Sequence, residues 1–187
     1  MFTLNLEALK RISKIINDEN LLWCIGGSFL LLQYDLVGEA RDIDILVNEE
    51  EAVKLHELLL PLGEHVHFPP KEPYLTKYFF HHRINETEVD VIGGFKINHD
   101  QGIYDFVLDN DSISARIGIN DITVPLSTLE DWFVLYQLIP NREDKVKLIE
   151  KHFLVNGLNR PQILKKALTK ELPVVVRRRI EKLISGN

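Results

Sequence analysis

The sequence predicts an α+β fold with an α/β-like core: a mixed β-sheet flanked by helices over residues 1–125, followed by a C-terminal helical bundle over residues 126–187. Three observations predict it. Short apolar runs alternate with amphipathic stretches in the first third of the chain; residues 75–124 alternate polar with aromatic or β-branched positions; after Pro125 the periodicity turns helical and stays so. The chain has 187 residues, 45% of them apolar, which is enough to fill a real core, and no repeat or low-complexity linker interrupts it.

In order, Leu4, Leu6, Leu9, Ile12, Ile15 and Ile16 recur at helical spacing, predicting an amphipathic helix over 4–18. Leu21 to Ile25 reads as a buried strand, broken by Gly26-Gly27, and Ser28 to Tyr34 resumes as an apolar helix. A polar loop with Gly38 leads to a second strand, Asp42 to Val47. Asn48 then caps a helix whose first turn carries Glu49, Glu50 and Glu51, where the helix dipole favours acids; it should run to Leu62 and stop near Gly63. Pro69-Pro70 and Pro73 mark a loop before strands at 75–84 and 88–92 and one or two more over 114–124. Ser127 and Glu130, in capping-box spacing, open a helical series at 126–138, 142–155, 161–168 and 173–185.

Cys24 is the only cysteine, which excludes an intramolecular disulfide and a cysteine-rich zinc site and points to a reducing, cytoplasmic setting. Glu7, Lys10, Arg11 and Lys14 interrupt the first apolar stretch, so it does not read as a signal peptide, and no apolar run reaches membrane-spanning length. Net charge is −6, unevenly placed: from Arg160 onward eight basic residues face two acidic ones, so the remainder carries −12. The basic tail reads either as a solvated helix face or as a seat for an anionic partner.

The chemistry concentrates in Arg41-Asp42-Ile43-Asp44-Ile45. On a strand, side chains two apart share a face, so Asp42 and Asp44 project together while the isoleucines enter the core, an arrangement that suits a divalent cation. The Gly26-Gly27-Ser28 turn between a strand and a helix offers backbone N–H groups and a hydroxyl to phosphate. Each signal alone has an ordinary reading, as a turn or as solvated strand acids. Order and spacing join them: Ser28 precedes Asp42 by fourteen residues, room for a helix and a return, and Asp90 sits later in the same apolar-Asp-apolar setting, Val89-Asp90-Val91.

These residues resemble the nucleotidyltransferase superfamily related to DNA polymerase beta, with its Gly-Gly-Ser turn, apolar-Asp-apolar-Asp-apolar strand and later strand-borne carboxylate. The likeness covers residues 20–95 and is nearest in flavour to small bacterial members, the lincosamide-type antibiotic nucleotidyltransferases and those of toxin–antitoxin systems; residues 125–131 and 142–145 look like the family's post-core helices. The resemblance implies that Gly26, Gly27 and Ser28, with Arg41, hold a nucleoside triphosphate, that Asp42 and Asp44 bind Mg²⁺, and that Asp90 completes a two-metal site or accepts the proton of the attacking hydroxyl. It implies transfer of a nucleoside monophosphate, AMP from ATP or another NTP's equivalent, to a hydroxyl of a small molecule or protein, with release of pyrophosphate. Gln137 stands near the place of a lysine found in many members, which leaves triphosphate charge to Arg41, Arg142, Lys145 or Lys147.

Other candidates read as structure. His65, His67, His81 and His82 lack the carboxylate pattern of a transition-metal site; Cys24, between Trp23 and Ile25, behaves as a small apolar group; Trp132, Phe133 and Tyr136 pack a helix. The competing functional class is a catalytically silent domain of the same fold that binds a protein or RNA, with Arg177 to Lys182 on phosphates. Apolar surface on the helical half would serve a homodimer.

Overall fold

A computed structural model describes residues 6–186, so positions 4 and 5 of the expected first helix lie outside the described residues. Helix α1 (Leu6–Asp18) buries Leu9, Ile12 and Ile16, the apolar stripe that its spacing dictates. Strand β1 (Trp23–Ile25) is buried throughout and ends at Gly26, where α2 (Gly27–Gln33) begins. Strand β2 (Asp42–Val47) alternates as expected at its start, with Ile43 and Ile45 fully buried and Asp42 and Asp44 partly accessible.

The expected helix after Asn48 is three pieces. Asn48 caps a 3₁₀ turn (Glu49–Glu51), α3 follows (Ala52–Leu59), and Pro61 sits in a second 3₁₀ turn (Leu60–Leu62) that closes it. Next come β3 (Glu64–Val66), β4 (Tyr78–Ile84) and β5 (Thr87–Gly93). A hairpin of β6 (Lys96–His99) and β7 (Gly102–Asp105) forms its own small sheet, and β8 (Ile113–Ile119) and β9 (Ile122–Ser127) complete the strands. Helices α4 (Leu129–Leu138), α5 (Glu143–Asn156), α6 (Pro161–Ala167) and α7 (Val174–Ser185) follow.

The large sheet is mixed and seven-stranded, in the order β3-β4-β5-β2-β1-β9-β8. β1 runs antiparallel to β2 and parallel to β9, while β2 runs parallel to β5. Register matters most between β2 and β5, where Asp44 lies opposite Asp90 and Ile43 opposite Val89. Because partners in register share a face, the acids are brought together on one side of the sheet and the buried aliphatics on the other, against α3.

The start of α4 differs from the capping-box expectation. The strand β9 persists through Ser127, with Leu126 paired to Ile25 of β1, so the cap moves one residue on to Thr128, whose Oγ1 accepts the Asp131 N–H at 3.0 Å. Residue 125, the expected division of the chain, falls within β9. Trp132, Phe133 and Tyr136 are buried, as the packing reading anticipates. The β6–β7 hairpin was not legible, because Lys96-Ile97-Asn98-His99 offers only one strongly β-forming residue.

Candidate active site

Three carboxylates converge at one end of β2. Ligand oxygens of Asp42, Asp44 and Asp90 all lie within 4.8 Å of one another. Asp42 is fixed by Ser28, whose Oγ donates to its Oδ1 at 2.8 Å. The serine hydroxyl expected to face phosphate therefore spends its proton on a neighbouring acid instead, and orients it.

The glycine turn is shaped by what crowds it. The Gly26 N–H donates to the Asp44 carbonyl at 3.0 Å, which pins the end of β1 to β2. A Cβ on Gly26 would fall 2.1 Å from the Trp132 ring, and one on Gly27 would fall 1.6 Å from Asp44 Oδ2. Gly27 also has φ of +57°, in the left-handed region that side chains disfavour. The pair thus lets backbone, indole and carboxylate meet in a space that no larger residue would leave open.

Electrostatics mark the site. Burial, then the charges of Asp42 and Asp90, push the Asp44 carboxyl well above its ordinary range, against the pull of Lys145 and Arg142. Asp90 is also raised by burial, opposed by its hydrogen bond to His81. Lys145, in the first turn of α5, is lowered by burial and by Arg142; its Nζ donates to the Tyr136 hydroxyl at 3.4 Å and lies 4.9 Å from that ring's centre. Burial also raises the phenol of Tyr74, which feels the charges of Arg142, Asp44 and Asp90. A cluster of anions faced by the exposed Arg142 and the half-buried Lys145 can hold a divalent ion on hard oxygen ligands and an anionic substrate beside it. The donor set fits Mg²⁺: three carboxylates, no sulfur, and mutual repulsion that a cation would relieve.

Of the residues singled out by sequence, Gly26, Gly27, Ser28, Asp42, Asp44 and Asp90 come together. Arg41 is directed elsewhere: its side chain is 78% exposed and its Nη2 lies 3.1 Å from Glu39. Arg142 and Lys145 are the basic groups whose charge reaches Asp44. Sequence reasoning read His81 and Tyr136 as structure and did not name Tyr74. Tyr136 was hidden by its own buried position in α4, while His81 carried a usable signal, since it alternates with Arg83 on a strand next to Asp90.

The basic C-terminal helix is largely occupied. Arg177 donates to the carbonyls of Leu168 and Lys170 at 2.7 and 2.9 Å, and Arg179 bridges Glu143 and Glu150.

Several solved structures share this fold. A Thermotoga maritima protein described as a candidate nucleotidyltransferase superposes with a TM-score of 0.61 at 20% identity, covering 79% of this chain and 91% of its own. The lincosamide antibiotic adenylyltransferase LnuA, solved with lincomycin, gives 0.52 at 18% identity over 79% of this chain and 98% of its own. ANT(2'')-Ia, solved with adenylyl-2''-tobramycin, gives 0.54 at 15% identity over 93% and 95%. The fold is thus that of the nucleotidyltransferases. No family model and no curated protein matches by sequence.

Proposed function

We propose that this protein is a nucleotidyltransferase that moves a nucleoside monophosphate, AMP from ATP, onto a hydroxyl of a small molecule and releases pyrophosphate. The observation that supports this reading above the others is the convergence of Asp42, Asp44 and Asp90 on adjacent parallel strands, with ligand oxygens within 4.8 Å of one another. In this reading the three aspartates hold Mg²⁺, which supplies charge neutralisation to the phosphates and lowers the cost of developing negative charge. In this reading the triphosphate lies beside the aspartates, and Arg142 and Lys145 offset its charge from the α5 side.

The chain's own groups then have distinct tasks. Ser28 orients Asp42, which keeps its second oxygen for the cation. Asp90 takes the proton of the acceptor hydroxyl as its oxygen attacks the α-phosphorus; the new P–O bond forms as the bond to pyrophosphate breaks, and the pyrophosphate leaves with that electron pair. The start of α5 contributes Arg142 and Lys145.

Calorimetry with ATP and Mg²⁺ tests the reading directly. Wild-type protein should bind ATP only with the metal, and the double substitution Asp42→Asn/Asp44→Asn should abolish it. Unchanged binding in that variant would remove the basis of the proposal. The alternative of a silent RNA-binding domain is disfavoured because Arg177 and Arg179 are engaged within the chain.

A further inference from the structure

His81 occupies a position that the reaction as described leaves unexplained. It stands opposite Asp90 in the antiparallel β4–β5 register, and Arg83 stands opposite Glu88 one step along the same face. The imidazole is held at both nitrogens: Nδ1 lies 2.6 Å from Asp90 Oδ1, and Nε2 lies 2.5 Å from Glu88 Oε2. Glu88 is itself tethered, since its Oε1 accepts from Arg83 Nε at 3.0 Å. Phe68 meets the ring edge-on, with centroids 4.7 Å apart at 75°. The ring therefore cannot turn without breaking two charge-assisted contacts and an aromatic one.

Such a clamp has a specific use beside this site. Asp90 shares its surroundings with Asp42 and Asp44, whose charges would drive an untethered carboxylate to rotate away. We propose that His81 is a positioning residue that pins one oxygen of Asp90, so that the other is presented to the metal and to the acceptor hydroxyl. Glu88 and Arg83 then serve as the anchor of His81, forming a row that runs from the site to the sheet surface. The inference rests on the nucleotidyltransferase reading of the aspartates. Groups that orient a metal-binding carboxylate typically govern about 10–100-fold in metal affinity or activity.

The test measures Mn²⁺ binding to the full chain by paramagnetic resonance, with kcat and KM as a second readout and thermal melting as the control for folding. His81→Phe keeps a ring against Phe68 but removes both nitrogen contacts; it should weaken Mn²⁺ by roughly 10-fold or more and lower kcat more than it raises the KM for ATP. His81→Asn places an amide N–H near the former Nδ1 and should restore most of the affinity. If His81→Phe proves unstable, Glu88→Ala, which frees only the far side of the ring, should weaken Mn²⁺ by several-fold with the fold intact. Wild-type Mn²⁺ affinity in folded His81→Phe, or equal loss in the Asn and Phe variants, would overturn the positioning role alone. Folded wild-type protein that takes up no Mn²⁺ would overturn the reading of the aspartate site on which it rests.

Discussion

Asp44 and Asp131 are both carboxylates whose burial raises their affinity for a proton, yet they do opposite things in the molecule. Asp131 sits in the first turn of α4 and is supplied with a partner: Thr128 Oγ1 donates to its Oδ2 at 2.6 Å while accepting its backbone N–H. Asp44 receives no side-chain hydrogen bond among the described residues and faces two further acids instead. A buried acid with its donor satisfied stabilises a helix start. A buried acid kept among like charges lowers stability unless a cation arrives, and such a cost marks a binding site. Asp131 is buried and Asp44 half-buried, so it is the partners that set them apart.

The largest expected effect comes from neutralising Asp44. Asp44→Asn should reduce nucleotidyl transfer by about 10³-fold or more, because several kcal/mol of metal-borne charge stabilisation is lost. The same variant should melt higher than wild type in the absence of divalent ions, since it relieves repulsion with Asp42 and Asp90. Calorimetric melting with and without Mg²⁺ reads both signs, and an Asp44→Asn variant that melts lower without metal would erase the contrast with Asp131.

The glycine pair sharpens the contrast next. Gly27→Ala places a Cβ against the Asp44 carboxylate on a left-handed backbone, so it should weaken Mg²⁺·ATP binding by at least roughly 10-fold, the scale on which disturbed metal-ligand orientation acts. Gly26→Ala meets the Trp132 ring instead and should act on stability, by about 1–3 kcal/mol of overpacking. Titration calorimetry and melting together separate the two neighbours.

How much of this was readable beforehand follows the same division. The Asp42 and Asp44 pair, the glycine turn and Asp90 were visible because strand alternation and chain order are one-dimensional signals. The choice among the candidate cations was not: Arg41 adjoins Asp42 in sequence but pairs with Glu39, whereas Lys145, named beside it, is a hundred residues away from Asp44 and reaches it only because α5 packs on α4. The start of α4 was displaced for a related reason. Ser127 has capping chemistry, but the pairing of β9 with β1 at Leu126 and with β8 at Ser127 holds the backbone extended through it, and the cap passes to Thr128. Tertiary pairing overrode a local signal of about 1 kcal/mol.

On the structural side of the comparison, Thr128→Val should cost about 1–3 kcal/mol, since it removes the α4 cap and the hydroxyl donor to a buried carboxylate together. Chemical denaturation checks it, and the ATP affinity of the folded protein should stay within about 2-fold of wild type, well below the 10-fold that one lost site contact costs.

Asp131→Asn gives the cleanest sign. Burial first, with Asp109 and Glu130 adding to it, pushes the Asp131 carboxyl from 3.8 up to about 7. Below pH 4 the acid is protonated in both folded and unfolded chains, and its stabilising contribution is complete. Between pH 4 and 7 the unfolded chain releases its proton first, so that contribution is progressively lost, and above pH 7 the loss is constant. Asparagine carries no charge at any of these values and keeps an oxygen for Thr128 to donate to. The melting temperature of Asp131→Asn, taken relative to wild type, should therefore climb from pH 4 to pH 7 and then level off; a rise from 3.8 to about 7 is worth about 4 kcal/mol, or roughly 8–16 °C at roughly 2–4 °C per kcal/mol for a chain of this size. A flat difference across that interval would mean that Asp131 ionises at the same pH folded and unfolded, and that the Thr128 hydroxyl fully compensates its burial.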